Sequence, residues 1–294
     1  MRQEIWPGTD IATRMIDSPL IAVLLFSIAV AVAAILVRSI PSIGRTLAVV
    51  EASRHKAIDG LRGILGISVF THHTVCTWFF LHGDAWQLPP SRFIVHMGQT
   101  SVALFFMITA FLFWGRVLDR GSKIDWIEFL VSRLYRLYPV YLLMVALLVT
   151  AVLAVTLSNT PAATGSFFSP LLTWLMFTMF GTPDLNGLPN TWLIVAGVTW
   201  SLRYEWLFYL ALPVLGFVAG RSRQPLAALL SAAVVAAIFQ RFHWHNTFSL
   251  NIIPSFIGGI AAAYIVRRPQ FAAAGRSTVA GLLAVAALAP ALIA

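Results

Sequence analysis

Three groups of ionisable side chains interrupt otherwise apolar stretches of this 294-residue chain. Charged and titratable groups inside apolar helices are costly and mark sites of chemistry. The first group lies in IDGLRGILGISVFTHH, Ile58 to His73. Asp59 and Arg62 are three residues apart and share a helix face. His73 follows Arg62 by eleven residues, a rotation of about 1100°, so the two fall within roughly 20° of one face. His72 stands about 80° off that face. Gly66 lies on the Arg62–His73 stripe and leaves room for a substrate or a helix to approach. The rise separates Arg62 from His73 by about 16 Å. A histidine so placed suits general-base work; the alternative is a packing histidine bonded to a neighbouring helix.

The second group is RLYRLYP, Arg133 to Pro139. Arg133 and Arg136 share a face, and Pro139 is expected in the first turns of a helix, where its missing N–H costs little. Paired guanidinium groups bind phosphates through two parallel hydrogen bonds; the alternative is charge anchoring at a membrane boundary. The third group is WSLRYEWLFYLALP, Trp200 to Pro213. Ser201, Glu205 and Tyr209 follow one another at four-residue intervals and form a polar stripe, with Trp200 at its start. Glu205 is expected about a turn and a half below the outer surface, where a carboxylate needs a partner. An ion pair locking two helices is the alternative, and Arg203 could be a snorkelling anchor.

The elements that carry these groups are membrane helices. The chain is 59% hydrophobic and 11% charged, against about 25% charged in soluble domains. A soluble fold could not hide that much apolar surface. Spans of about 20 apolar residues are predicted at Pro19–Val37, Ile58–Leu81, Gly98–Trp114, Pro139–Leu157, Trp200–Val218, Leu226–Phe242, Ile252–Val266 and Val279 to Ala294. The fold class is therefore all-α, a polytopic transmembrane bundle of about 8 spans. Ser169–Phe180 is apolar but about 18 Å long as a helix, and is read as re-entrant or interfacial on the outer side.

The net charge of +9 fits cytoplasmic loops rather than nucleic-acid binding. With the N-terminus outside, segments 38–62, 116–136, 221–223 and 267–276 face inward and hold fifteen of the twenty Lys and Arg. The acidic residues before Pro19 and the arginines after it argue against a signal peptide. Cys76 has no partner cysteine. No zinc-ligand spacing, P-loop or G-x-S-x-G elbow is present. His243 and His245 flank Trp244 in an outer loop and are read as interfacial, with contact to a glycan as the alternative. Trp78, Trp86, Trp174, Trp192 and Trp200 are read as an aromatic belt, with sugar stacking as the alternative.

In order, the motifs are I-D-G-L-R-G with a histidine eleven residues after the arginine, G-x-x-S-V-A-L-F-F-M-I-T-A-F-L, R-L-Y-R-L-Y-P and W-S-L-R-Y-E-W-L-F-Y-L-x-x-P. This order resembles the membrane-bound acyltransferase 3 family of bacterial sugar O-acetyltransferases, over about residues 55 to 266. The resemblance implies transfer of an acyl group, expected to be acetyl, from cytosolic acyl-coenzyme A to a hydroxyl of an envelope or secreted carbohydrate or glycolipid. It implies the bacterial inner membrane, with membrane lipid as surroundings and no metal. It places the essential histidine on His73, the first-helix arginine on Arg62, the arginine pair on Arg133 and Arg136, and the motif glutamate on Glu205. Residues 1–56 read as an additional N-terminal helix and linker, and 57–294 as the acyltransferase-like domain, ending before the family's last helices.

The expected mechanism has Arg62, Arg133 and Arg136 hold the donor's phosphates while Asp59 positions Arg62. His73 is the base that activates the acceptor hydroxyl, with a covalent acyl-carrier role as the alternative. Glu205 steadies the imidazolium, and Ser201, Tyr209 and Trp200 contact substrate. The rival class is a transporter or flippase of a glycan or lipid-linked substrate. Transporters show repeated halves with matching broken helices, and no internal repeat is evident.

Overall fold

The computed structural model describes residues 17–40, 56–83, 85–159, 167–241 and 247–271. Eight α-helices form among them: α1 Pro19–Ser39, α2 Lys56–Leu81, α3 Arg92–Arg120, α4 Trp126–Asn159, α5 Phe168–Leu175, α6 Trp200–Val218, α7 Pro225–Arg241 and α8 Thr247–Ile265. Short 3-10 turns occur at Gly121–Lys123 and Thr191–Val195. Among the described residues there is no strand, only an isolated bridge between Leu185 and Leu188. Four helices, α1 to α4, are long and apolar enough to cross a membrane. The apolar cores of α7 and α8 are shorter, and α6 carries Arg203 and Glu205. The predicted eighth span, the N-terminal residues before Asp17, His243 and His245 lie outside the described residues.

The chain divides into two compact units. The first holds Met1–Ile108 and Ile265–Ala294 and the second Thr109–Tyr264, so α3 contributes to each. In the first unit, Ser18 caps α1 by accepting from the Ile21 N–H at 3.2 Å, with Pro19 in the first turn where its ring is preorganised. Asp17 Oδ1 accepts from the Ser91 N–H at 2.9 Å and so caps the start of α3. Ala22, Val75, Phe79 and Ile94 form this unit's core. Ser68, Thr71 and Thr74 return their hydroxyls to carbonyls four residues back, which satisfies them without a partner helix.

Gly98, the glycine of the G-x-x-S motif, makes room for a histidine. A Cβ there would lie 2.5 Å from His72 Cγ. That space lets His72 reach α3, where its Nδ1 meets the Ile94 carbonyl at 2.9 Å.

In the second unit, α4 begins at Trp126 rather than near Pro139. Asp125 sets that start: its Oδ1 accepts from the N–H groups of Ile127 and Glu128 at 2.9 and 3.0 Å, as an N-cap aspartate does. Arg133 and Arg136 are therefore inside the helix. Pro139 is also interior, where it deprives the Tyr135 carbonyl of its helical donor. Likewise α3 extends beyond the predicted Gly98–Trp114 at both ends.

One end of this unit gathers the basic connections. Trp126 Nε1–H donates to Ser222 Oγ at 3.2 Å, and Gln224 Nε2 donates to the Ile124 carbonyl at 2.7 Å. These bonds bring Arg120 and Lys123 to the same end as Arg221 and Arg223, segments that the charge pattern assigns to one membrane side. Residues 167–202 contain no Lys or Arg.

That stretch, with Asp184 its one ionisable residue, does not cross. α5 has 8 residues and ends in turns. Its Trp174 carbonyl accepts from Tyr141 Oη–H at 2.5 Å, while Asn186 Nδ2 donates to Thr156 Oγ1 at 2.7 Å. Tyr141 and Thr156 are about 22 Å apart along α4, so the segment dips to the middle of α4 and returns towards its far end. Trp174 is fully buried and its indole donates to the Pro183 carbonyl at 2.9 Å. This corrects its placement in an aromatic belt, because it is the buried pin of the dip. Five non-glycine residues of this stretch have positive φ: Phe177 (54°), Thr178 (52°), Asn186 (50°), Asn190 (57°) and Ala196 (50°). Asparagine tolerates that region; Phe, Thr and Ala resist it, at about 1–3 kcal/mol each.

Gly98→Ala is expected to cost about 1–3 kcal/mol through overpacking against His72, read as a lowered unfolding midpoint of the purified protein. An unchanged midpoint would contradict the notch.

Candidate active site

In the first unit the two adjacent histidines of α2 differ in what their ring nitrogens meet. A carbonyl oxygen can only accept, so the nitrogen beside it carries the proton. His72 Nδ1–H donates to Ile94 O, and its Nε2 faces Cys76 Sγ at 3.6 Å. His72 is buried and both its nitrogens are engaged. His73 is half-buried. Its Nδ1–H donates to the Val69 carbonyl of its own helix at 2.9 Å. This fixes the tautomer with the Nε2 lone pair bare. The packing role thus falls to His72, and His73 keeps a nitrogen able to take a proton. The two rings meet edge to face at 5.2 Å.

Arg62 is half-buried and Asp59 exposed near the start of the same helix. Gly66, on the stripe between Arg62 and His73, has no described heavy atom within 4 Å of where a Cβ would stand. That flank of the stripe is open.

The second unit holds the other candidates, and they converge. The Arg133 guanidinium lies 4.9 Å from the centre of the Phe113 ring, and that of Arg116 lies 5.8 Å from it. Arg133 also interacts electrostatically with Arg136, Tyr209 and Glu205. Its terminal nitrogen donates to Ser132 Oγ at 3.3 Å. Its Nε is buried with no hydrogen-bond partner among the described residues. Arg136 is exposed. Tyr209 is buried, packs 5.0 Å from Phe113 and donates its hydroxyl to Glu205 Oε1.

Two guanidinium groups, those of Arg133 and Arg116, therefore flank one aromatic ring, with Arg136 acting electrostatically on Arg133 and the nearby Glu205 carboxylate already held by a tyrosine. Cation–π contact offsets part of the arginines' burial but leaves net positive charge. The arrangement suits an anion of more than one charge. It depends on the early start of α4, which brings Arg133 to the depth of Tyr209 and Glu205 on α6. The Ser201–Glu205–Tyr209 stripe is joined at its lower half by the tyrosine bond. Its upper member, Ser201, returns its hydroxyl to the Val198 carbonyl at 3.3 Å, and Trp200 packs 5.9 Å from Tyr204.

Phe113 and Arg116 were not among the sequence candidates. Phe113 sits in a uniformly apolar run, and Arg116 closes that run as any anchoring arginine would. Among the described residues no group of three or more His, Cys, Asp or Glu could hold a metal ion.

A double-mutant cycle of Tyr209→Phe and Glu205→Leu should show coupling of about 1.5–3 kcal/mol, the worth of a hydrogen bond to a charged group, in unfolding of the purified protein. Additive effects would mean the pair is not bonded.

Comparison with known proteins places this arrangement in a family. A family model described as an acyltransferase domain matches residues 55–294. The chain is 28% identical over 168 residues to "Acyltransferase MdmB" of Streptomyces mycarofaciens, covering 55% of this chain and 39% of that protein. It thus spans about two fifths of the length of that relative. No solved structure matches the chain. The family match takes in His73, Arg116, Arg133 and Arg136, and the Glu205–Tyr209 pair, and with it the chain belongs to the acyltransferase 3 family.

Proposed function

We propose that the protein transfers an acetyl group from acetyl-coenzyme A to a hydroxyl of an envelope carbohydrate, acting in the bacterial cytoplasmic membrane with its N-terminus outside. The observation that carries this reading is His73, whose Nδ1–H is spent on its own helix while Nε2 stays bare. An imidazole in that state is a general base. Membership of the acyltransferase 3 family supports acyl transfer, as does a relative whose name is acyltransferase.

Coenzyme A carries phosphates, and the second unit offers the charge to meet them. Arg133 has an unmet buried N–H, and Arg136 and Arg116 stand beside it. Within the first unit, Arg62, positioned by Asp59, supplies positive charge on the helix face that carries His73. Glu205 is held by Tyr209 and acts through Arg133, keeping the guanidinium aimed while leaving it able to bind phosphate. Ser201 and Trp200, at the outer end of α6, face the acceptor.

The reaction then balances as follows. His73 Nε2 takes the proton of the acceptor hydroxyl as its oxygen attacks the thioester carbonyl. The tetrahedral centre collapses, the C–S bond breaks, and the coenzyme A thiolate recovers the proton from the imidazolium. The products are the O-acetyl ester and free coenzyme A.

His73→Ala should lower acetyl transfer to cellular glycan by about 10²–10⁴-fold, the usual worth of a general base, while the protein still inserts. Retained transfer would remove His73 from the mechanism. Arg133→Ala with Arg136→Ala should weaken binding of labelled acetyl-coenzyme A roughly tenfold or more through lost charge-assisted bonds. Unchanged donor affinity would remove the clamp.

A further inference from the structure

The dipping segment of the second unit holds a group of polar atoms that the proposed chemistry does not use. Thr178 is 0% exposed and Thr199 is 1% exposed. Neither hydroxyl has a hydrogen-bond partner among the described residues, nor has the buried indole N–H of Trp206. Buried polar groups are paired in the great majority of cases, and each exception calls for a reason.

Thr178 and Trp206 are brought together by Phe177, and Thr199 stands on the Trp206 face of α6. Phe177 and Thr178 are the two central residues of a turn closed by Met179 N–H to Met176 O at 3.1 Å. Both have positive φ, the signature of a type I′ turn normally built from Asn and Gly. A β-branched residue there is an outlier, and such strain gathers where a ligand is held. The Phe177 ring lies tilted at 4.6 Å from Tyr141, 5.1 Å from Trp206 and 5.4 Å from Tyr138. Thr199 precedes Trp206 by seven residues, two turns along α6 on one face, about 10 Å away. Arg203 lies between them and interacts with Tyr141.

We propose that the Phe177–Thr178 turn, with Trp206 and Thr199, forms the subsite that binds the carbohydrate acceptor. This rests on the reading that the protein acylates a sugar. The unmet groups are one N–H donor and two hydroxyls that both donate and accept. A sugar hydroxyl answers all three, and the four aromatic rings offer faces for its C–H surface. The turn sits at the depth of Tyr141, midway along α4, and the segment that carries it returns through Asn186 to the end opposite the basic connections, the end an external acceptor reaches under the positive-inside pattern.

The test uses the full chain in lipid nanodiscs, with methyl α-glucoside, methyl α-galactoside and methyl α-rhamnoside as acceptor probes and desulfo-coenzyme A as donor probe. Thr178→Val keeps the β-branched shape and removes only the hydroxyl; Trp206→Phe keeps an aromatic ring and removes the N–H together with part of the indole. Each should weaken glycoside binding roughly tenfold and leave desulfo-coenzyme A binding unchanged, and Thr178→Val should leave the unfolding midpoint unchanged or raised. The rise is expected because an unmet buried hydroxyl has been removed. Thr178→Ser should retain binding. Glycoside affinity that does not change, a parent protein that binds no glycoside, or a loss confined to desulfo-coenzyme A would overturn the proposal. The last outcome would give the turn to the donor's pantetheine arm. Failure of the parent to bind desulfo-coenzyme A counts against the acyltransferase reading itself and leaves the glycoside comparison readable.

Discussion

A polar atom buried in an apolar helix bundle has no water to fall back on, and leaving it unpaired costs several kcal/mol by the usual transfer estimates. This one constraint sorts the side chains of the protein. Ser68, Thr71 and Thr74 meet it with the carbonyls of their own helix. His72 meets it with Ile94 and Cys76. Among the described residues, the buried atoms that do not meet it include Nε of Arg133, the hydroxyls of Thr178 and Thr199 and the indole N–H of Trp206, with Trp114 Nε1 and Ser231 Oγ elsewhere in the bundle.

The helices exist to hold those atoms in place. Asp125 starts α4 early enough that Arg133 is carried inward to meet Phe113 and the field of Glu205. Tyr209 keeps that carboxylate engaged, and with Arg116 and Arg136 beside Arg133 the cluster keeps net positive charge. Gly98 admits His72 to α3, which frees the neighbouring His73 from a packing role. The segment after α4 bends back on itself and brings strained backbone to the middle of the unit. Such backbone is tolerated at membrane depth where protein surrounds it.

Much of this was legible in the sequence, for physical reasons. Apolar run length located the helices, and eleven-residue spacing put Arg62 and His73 on one face. The shortness of Ser169–Phe180 ruled out a crossing. Three features were hidden. The start of α4 was read from Pro139 because proline favours first turns, yet the Asp125 cap outweighs it. Trp174 was read as interfacial because tryptophan favours membrane boundaries, whereas its N–H finds Pro183 inside the protein. Phe113, Arg116 and Thr178 carried no local signal, because their roles arise from residues that only the fold brings near. The division of labour between His72 and His73 needed the positions of two carbonyl oxygens.

The account turns on the protonation of one ring, and nitrogen-15 NMR of histidine-labelled protein in lipid nanodiscs at neutral pH reads it directly, with His73→Gln assigning the signal. The predicted spectrum shows a proton on Nδ1 of His73, coupled across a hydrogen bond to the Val69 carbonyl, and a bare pyridine-type Nε2. A proton resident on Nε2 would contradict the account, since that nitrogen could not then accept one from an acceptor hydroxyl.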